Sequence, residues 1–399
     1  MKHRALLILL LSLPALALAE GRIGLADALR QALLQAPEQA LVEARQGEAQ
    51  AIQAQAEAPL AAPPALVLGS QGGRDQGGFG EYREWSAGVE LPLWRPDQAD
   101  AQGRLAHHID AQAREDQRLL AWELAGQLRE AAWQVALAEA AVAAQEAASR
   151  EARQGQARLT RLVALGERPH ADLVTLDGML LELDTQQEVA HAELRQALAT
   201  WRRVSRQEAP PAVTTEVLTA ERPLDELPPW TQARQSLERA RAERETGVLA
   251  AKGTPALGLM ARHEQSPGSP TRDALALNLS LPLPWERHRQ AAEAALRYAE
   301  TEAAVRLERL AREWQGQRQQ AALGLEAARK QAELVQRRAQ SAREELRLAG
   351  RRLEEGEMDT LDYVNVMRRT FEAERAARLG QLEVGRWIAR FNQAQGILP

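Results

Sequence analysis

The sequence predicts a mainly α-helical protein with a small β part, built as a duplicated helix-strand-strand-helix-helix unit. Three observations carry this. First, Leu275, Leu277, Leu279, Leu281 and Leu283 alternate with Ala274, Ala276, Asn278, Ser280 and Pro282, and Trp85, Ala87, Val89, Leu91 and Leu93 alternate with Glu84, Ser86, Gly88, Glu90 and Pro92. Side chains switch faces at each strand residue, so both stretches read as strands with one oily and one small or polar face. Second, Ala321, Leu325, Ala328, Ala332, Val335, Ala339, Ala342, Leu346, Ala349 and Leu353 keep an unbroken four-three spacing. That is the apolar seam of a helix packed in a coiled coil. Third, the halves repeat. Leu91-Pro92-Leu93 recurs at Leu281-Pro282-Leu283, Pro64-Ala65-Leu66 at Pro255-Ala256-Leu257, Gly166-Glu167 at Gly356-Glu357, and Pro37 at Pro228, all at nearly one offset.

Taken in order, Lys2 and Arg4, the apolar run Ala5 to Leu13 and Ala17-Leu18-Ala19 form a secretory signal over 1–19, with cleavage expected before Glu20. The first repeat occupies 20–207. Its opening helix runs from Leu25 to about Ala58 with a break at Pro37, because proline cannot donate to the helix ladder. Strands follow at about 64–72 and 83–93, joined by a loop containing Gly77-Gly78. Pro96-Asp97 starts a helix over about 97–165, which Gly166 stops, and a return helix spans about 169–206. Pro210, Pro211, Thr214 and Thr215 mark a linker over 208–223. The second repeat, 224–399, has strands at about 255–263 and 273–283 and helices at about 286–355 and 359–396. The first long helix carries the same seam at Ala131, Val135, Ala138, Val142, Ala152, Leu159 and Val163, interrupted by Gln145, Ser149 and Gln156. Helices of this length are rods of roughly 100 Å at 1.5 Å per residue, not parts of a compact core.

Composition narrows the class. Aromatic residues make up 4% of the chain, against 26% charged, which fits long helices better than a globule. The formal net charge is −5, and loss of Lys2 and Arg4 makes it more acidic, which argues against nucleic acid as a partner. There is no cysteine, so disulfides and thiolate metal sites are excluded. After the signal, no run of about 20 apolar residues remains to form a membrane helix.

The oily strands then need another solvent. Four strands leave two open edges, and an unpaired backbone group in hydrocarbon costs several kcal/mol. Closed membrane barrels have at least eight strands, so sister chains must complete the ring, and three chains give a twelve-stranded trimeric membrane β-barrel. The lipid-facing parity holds Leu275, Leu277, Leu279, Leu281, Val89 and Leu91; Glu90 and Arg262 fall on the lumen parity. Trp85, Trp94 and Trp285 flank the strands, where barrels place interface aromatics.

These residues resemble the TolC family of outer-membrane efflux proteins. The matching features are Leu25-x-x-Ala28-Leu29-x-x-Ala32-Leu33 followed by Pro37, the two Leu-Pro-Leu strands, and the paired motifs Gly166-Glu167…Asp172-Leu173-Val174 and Gly356-Glu357…Asp362-Tyr363-Val364. The resemblance covers essentially all of 20–399. It implies a homotrimer in outer-membrane lipid, with the β-barrel continued by a long α-helical coiled-coil barrel, as the exit duct of a tripartite pump. The partners would be a periplasmic adaptor (membrane fusion protein) and an inner-membrane transporter of the resistance-nodulation-division type. It also implies that Gly166, Glu167, Arg168, Gly356, Glu357 and Met358 form the adaptor contact at the tunnel tip. Short members often partner metal-cation pumps, which points toward the heavy-metal cation efflux subfamily. The chain ends soon after Trp387 to Leu398, so an elaborate equatorial domain is not expected.

Glu354, Glu355, Asp359 and Asp362, with Glu357 between them, put five acids at the second tip, an acidic entrance when tripled. No catalytic, cofactor or metal residue is assigned. The sequence lacks Gly-x-Ser-x-Gly, a phosphate loop and His-Glu-x-x-His; His107 and His108 are adjacent and point about 100° apart on a helix, and His170, His191, His263 and His288 are isolated. The competing classes are a duct for type I protein secretion, of the same architecture, and a soluble periplasmic adaptor, which should lack the duplicated strands.

Overall fold

A computed structural model describes residues 22–74, 81–213, 215–266, 270–283 and 286–399. The signal segment 1–19, most of the loop between the first two strands, and Trp285 lie outside the described residues. In chain order the elements are α1 (Leu25–Leu34), α2 (Gln39–Ala56), β1 (Ala65–Arg74), β2 (Glu81–Pro92), α3 (Gln98–Ala164), α4 (His170–Ser205), α5 (Pro228–Ala250), β3 (Ala256–Gln265), β4 (Arg272–Ser280), α6 (Glu286–Glu354) and α7 (Thr360–Ala394). A 3-10 turn, Leu224–Glu226, precedes α5. Pro37 falls in the gap between α1 and α2. β4 stops at Ser280, short of the expected Leu283, and β2 stops at Pro92. Pro282 and Pro92 cannot donate to a ladder, so each hairpin frays where its Leu-Pro-Leu begins or ends.

The two rods, α3 with 67 residues and α6 with 69, carry the remaining helices. α2 and α4 pack on α3. α5 near the sheet, and α7 farther along, each lie against both α3 and α6. Burial follows the seams. Ala321, Leu325, Ala328, Ala332, Ala339, Leu346, Ala349 and Leu353 of α6 are buried, as are Ala131, Val135, Ala138, Val142, Ala152 and Leu159 of α3. The polar interruptions are accommodated: Gln145 is buried and donates from Nε2 to the Leu183 carbonyl at 3.0 Å. α7 is keyed into both rods. A Cβ on Gly385 would come within 2.3 Å of the Trp133 ring of α3, and one on Gly324 of α6 within 2.2 Å of Trp387. The apolar clusters are strung along the rods, with the largest toward the tips and another around Trp201.

A layer of irregular chain belts the rods near mid-length. Ile23 pairs in parallel with Pro211, and its amide donates to the Pro210 carbonyl at 3.0 Å. The indole of the fully buried Trp201 donates to the Ala209 carbonyl at 2.8 Å. Asn392 of α7 holds Thr219 and Val217, and the Gln395 carbonyl oxygen of its amide group accepts the Arg222 amide at 3.1 Å. The segment expected as a linker is therefore a docked strap. Two indoles, Trp122 and Trp314, stack edge-to-face at 5.1 Å and donate to the Gln393 and Ala394 carbonyls at the end of α7. They supply donors to carbonyls that a helix terminus leaves unpaired.

Candidate functional site: the sheet and the tips

The four strands form one antiparallel sheet in the order β1-β2-β3-β4, so the two hairpins join through β2 and β3. The register sorts the side chains into rows. On one face Leu91, Leu257 and Leu279 align; next come Leu66, Val89, Leu259 and Leu277, then Leu68, Ala87, Ala261 and Leu275. The next row is Ser70, Trp85, His263 and Asp273, in which His263 Nδ1 and Asp273 Oδ1 lie 2.7 Å apart. Leu275, Leu277 and Leu279 are 81%, 70% and 59% exposed, so among the described residues nothing covers the leucine face. From Leu91 to Trp85 that face extends about 20 Å along the strand at roughly 3.3 Å per residue.

The opposite face is mostly polar or small, with Val67 and Met260 the larger apolar side chains in one row. Glu90 aligns with Gly258 and Asn278, Gly88 with Met260 and Ala276, and Ser86 with Arg262 and Ala274. Arg262 Nε meets Glu84 at 2.8 Å on this face. Leu281 lies one residue beyond β4 and is 61% exposed. Trp85 is exposed at the rim of the leucine rows, whereas Trp94 is half-buried and its Nε1 donates to the Ala58 carbonyl at 2.7 Å.

At the far end, α3 and α6 stop in the same way. Gly166 and Gly356 both have φ of +77°, a left-handed conformation that costs glycine little. The amides of Glu167 and Glu357 reach back to the Leu162 and Arg352 carbonyls at 3.0 and 2.8 Å. Gly166, Glu167, Gly356, Glu357, Glu354, Glu355, Asp359 and Asp362 are exposed, and Met358 is half-buried. Arg168 is drawn inward. Its Nη2 donates to the Leu353 carbonyl at 2.6 Å and the Met358 carbonyl at 3.0 Å, across to the other tip. Thr360 completes the tie by donating to Asp172 at 2.6 Å. Sequence reasoning had no signal for that cross-tip role, because the partners are backbone groups 185 and 190 residues away.

Above the tips, Glu130 of α3 receives Arg386 and Arg390 of α7. Burial alone would raise its pKa, but the hydrogen bond and charge of Arg386, then Arg390, hold the carboxyl below its ordinary value. Glu374 shifts the other way: burial raises it, and Arg343 offsets only part of that. Among the described residues no group of three His, Asp or Glu side chains is placed to hold a metal ion, and no helix is long and apolar enough to cross a membrane.

The chain thus consists of paired helical hairpins, ending at one side in a leucine-faced sheet and at the other in glycine-stopped tips, and this fold is also that of solved outer-membrane channels. The outer-membrane channel OprN matches with a TM-score of 0.72 and 17% identity, over 93% of this chain and 89% of that one. CusC, whose structures concern transmembrane channel formation, gives 0.70 and 17% over 93% and 92%. The outer membrane protein VceC of Vibrio cholerae gives 0.70 and 14% over 93% and 96%. No protein-family model matches the sequence, and no curated protein matches it.

Proposed function

We propose that the chain is a protomer of an outer-membrane efflux duct of the TolC family, which conducts small molecules or metal cations passively to the exterior. The observation that carries this is the uncovered leucine face of a four-stranded sheet whose edge strands, β1 and β4, have no partner among the described residues. In lipid such edges must close, and three copies make a twelve-stranded ring. The fold shared with solved outer-membrane channels supports the same reading.

In this proposal the two halves descend from one duplicated unit, and the rods of three copies enclose the duct below the barrel. The exposed residues Gly166, Glu167, Gly356 and Glu357, with Met358 beside them, meet a periplasmic adaptor. Arg168 holds the two tips at a fixed spacing. Glu354, Glu355, Asp359 and Asp362 line an acidic entrance that concentrates cations. Energy comes from an inner-membrane pump of the resistance-nodulation-division type. Cell fractionation and gel migration before and after heating test the core of the proposal. A heat-sensitive trimer in the outer-membrane fraction is expected, and a soluble monomer in the periplasm would overturn it.

A further inference from the structure

The chain crosses between sheet and helices four times: from α2 to β1, from β2 to α3, from α5 to β3, and from β4 to α6. Two adjacent residues touch all four crossings. The Trp94 indole donates to the Ala58 carbonyl, on the way from α2 to β1. Arg95 lies between β2 and α3, and its amide is 3.2 Å from Gln98 Oε1 at the first residue of α3. Its Nε donates to the Gly253 carbonyl at 2.5 Å and its Nη2 to the Lys252 carbonyl at 2.6 Å, both between α5 and β3. The same Nη2 is 3.2 Å from the Pro282 carbonyl, between β4 and α6.

These carbonyls belong to irregular backbone, where no ladder supplies a donor. A guanidinium carries five N–H donors in a rigid fork, so one side chain can reach several of them, which an ammonium on a flexible stem does less well. The crossings are also packed together. Gly253 has φ of +78°, and a Cβ there would lie 2.6 Å from the Pro282 ring. The Leu93 amide adds a bond to the Pro255 carbonyl at 2.7 Å, extending the β2·β3 pairing down to the same level.

We propose that Trp94-Arg95 is a collar that fixes the direction of the sheet relative to the rods. Its consequence rests on the duct reading: three such collars keep the barrel coaxial with the helical tunnel, so that one continuous passage runs through the junction. Arg95 acts here as a positioning residue through backbone carbonyls and needs no contact with cargo.

The cysteine-free chain allows a clean measurement. Spin labels are placed at Gln50→Cys on α2 and Ser70→Cys on β1, both exposed. Labelled full-length chain is diluted with unlabelled chain, and the distance distribution is read by double electron–electron resonance. Arg95→Gln should broaden it at least twofold, and Arg95→Lys should not restore it. Trp94→Phe, which keeps a ring but removes the indole N–H, should broaden it less and serves if the arginine variants assemble poorly. Planar-bilayer recordings on the same samples should show the variants switching among conductance levels that the parent does not visit. If the parent forms no pores, the duct reading fails while the distances still judge the collar. Parental widths in Arg95→Gln and Trp94→Phe would overturn it.

Discussion

Arg129 and Glu216 meet side-on: Nε lies 2.7 Å from Oε1 and Nη2 2.9 Å from Oε2, although the residues are 87 positions apart. The Arg129 side chain is 3% exposed, and its Nη1 also donates to Gln393 Oε1 at 2.6 Å and the Ile397 carbonyl at 2.7 Å. One buried arginine of α3 thus fastens both the strap between the halves and the end of α7. Removing one partner of a buried pair leaves the other charge uncompensated, at about 3–5 kcal/mol. Since Glu216 retains 16% exposure, Glu216→Ala should cost about 3 kcal/mol in denaturant unfolding and speed amide exchange over 207–223. Arg129→Met with Glu216→Leu should lose less than Glu216→Ala alone, because neither charge is stranded.

The glycine keys set a second expectation. Gly385→Ala drives a methyl into Trp133, and Gly324→Ala drives one into Trp387. Overpacking of this kind costs about 1–3 kcal/mol. Each alanine variant should lower the thermal midpoint, and Trp133→Leu should recover part of the loss in the Gly385→Ala background. A thermal melt followed by circular dichroism checks both.

On the sheet, the two parities should respond differently to charge. Leu277→Arg places a guanidinium in the leucine rows that the proposal turns toward lipid, and should cost about 2–4 kcal/mol at mid-bilayer. Ala276→Arg, on the opposite face beside Met260, should cost far less. The fraction of chain recovered from membranes as the trimer that heating dissociates is the readout. Equal losses would mean that the sheet is not in lipid, and a larger loss for Ala276→Arg would mean that the faces are reversed.

Glu130 gives a pH dependence with a defined sign. Its pKa is lowered in the folded chain, so its interactions with Arg386 and Arg390 stabilise the protein above the ordinary glutamate range and are lost as pH falls through the lowered value. Glu130→Gln should therefore be less stable than the parent at pH 7. The difference should shrink as pH drops below the ordinary carboxylate value and vanish below the lowered one. Denaturant unfolding at a series of pH values measures it.

Much of this fold was legible because it is periodic. Strand parity needs only alternation, so Leu275, Leu277 and Leu279 could be assigned a face from the sequence, and the register puts them in rows with Leu257, Leu259 and Ala261. Helical seams need only a four-three spacing, and the seam from Ala321 to Leu353 is buried or half-buried throughout. What stayed hidden has no period. Pro210 and Pro211 read as linker punctuation, yet the strap is bound by Trp201, eight residues before its acceptor Ala209, and by Asn392 and Arg129, which are distant in sequence. Trp94 read as an interface aromatic, while its N–H is spent on Ala58. Arg168 read as a contact for a partner, and nothing in the sequence signalled that it also donates to carbonyls of the second tip. Backbone acceptors leave no trace in residue identity, so side chains that serve them look like free surface groups.

Single cysteines can be introduced in turn at Leu275, Ala276, Leu277 and Asn278 of the cysteine-free chain, and intact outer membranes treated with a water-soluble maleimide. Strong labelling at Ala276 and Asn278 with protection at Leu275 and Leu277 is the pattern of a ring with lipid outside and water within. Uniform labelling, or the opposite alternation, would contradict a membrane barrel built from this sheet.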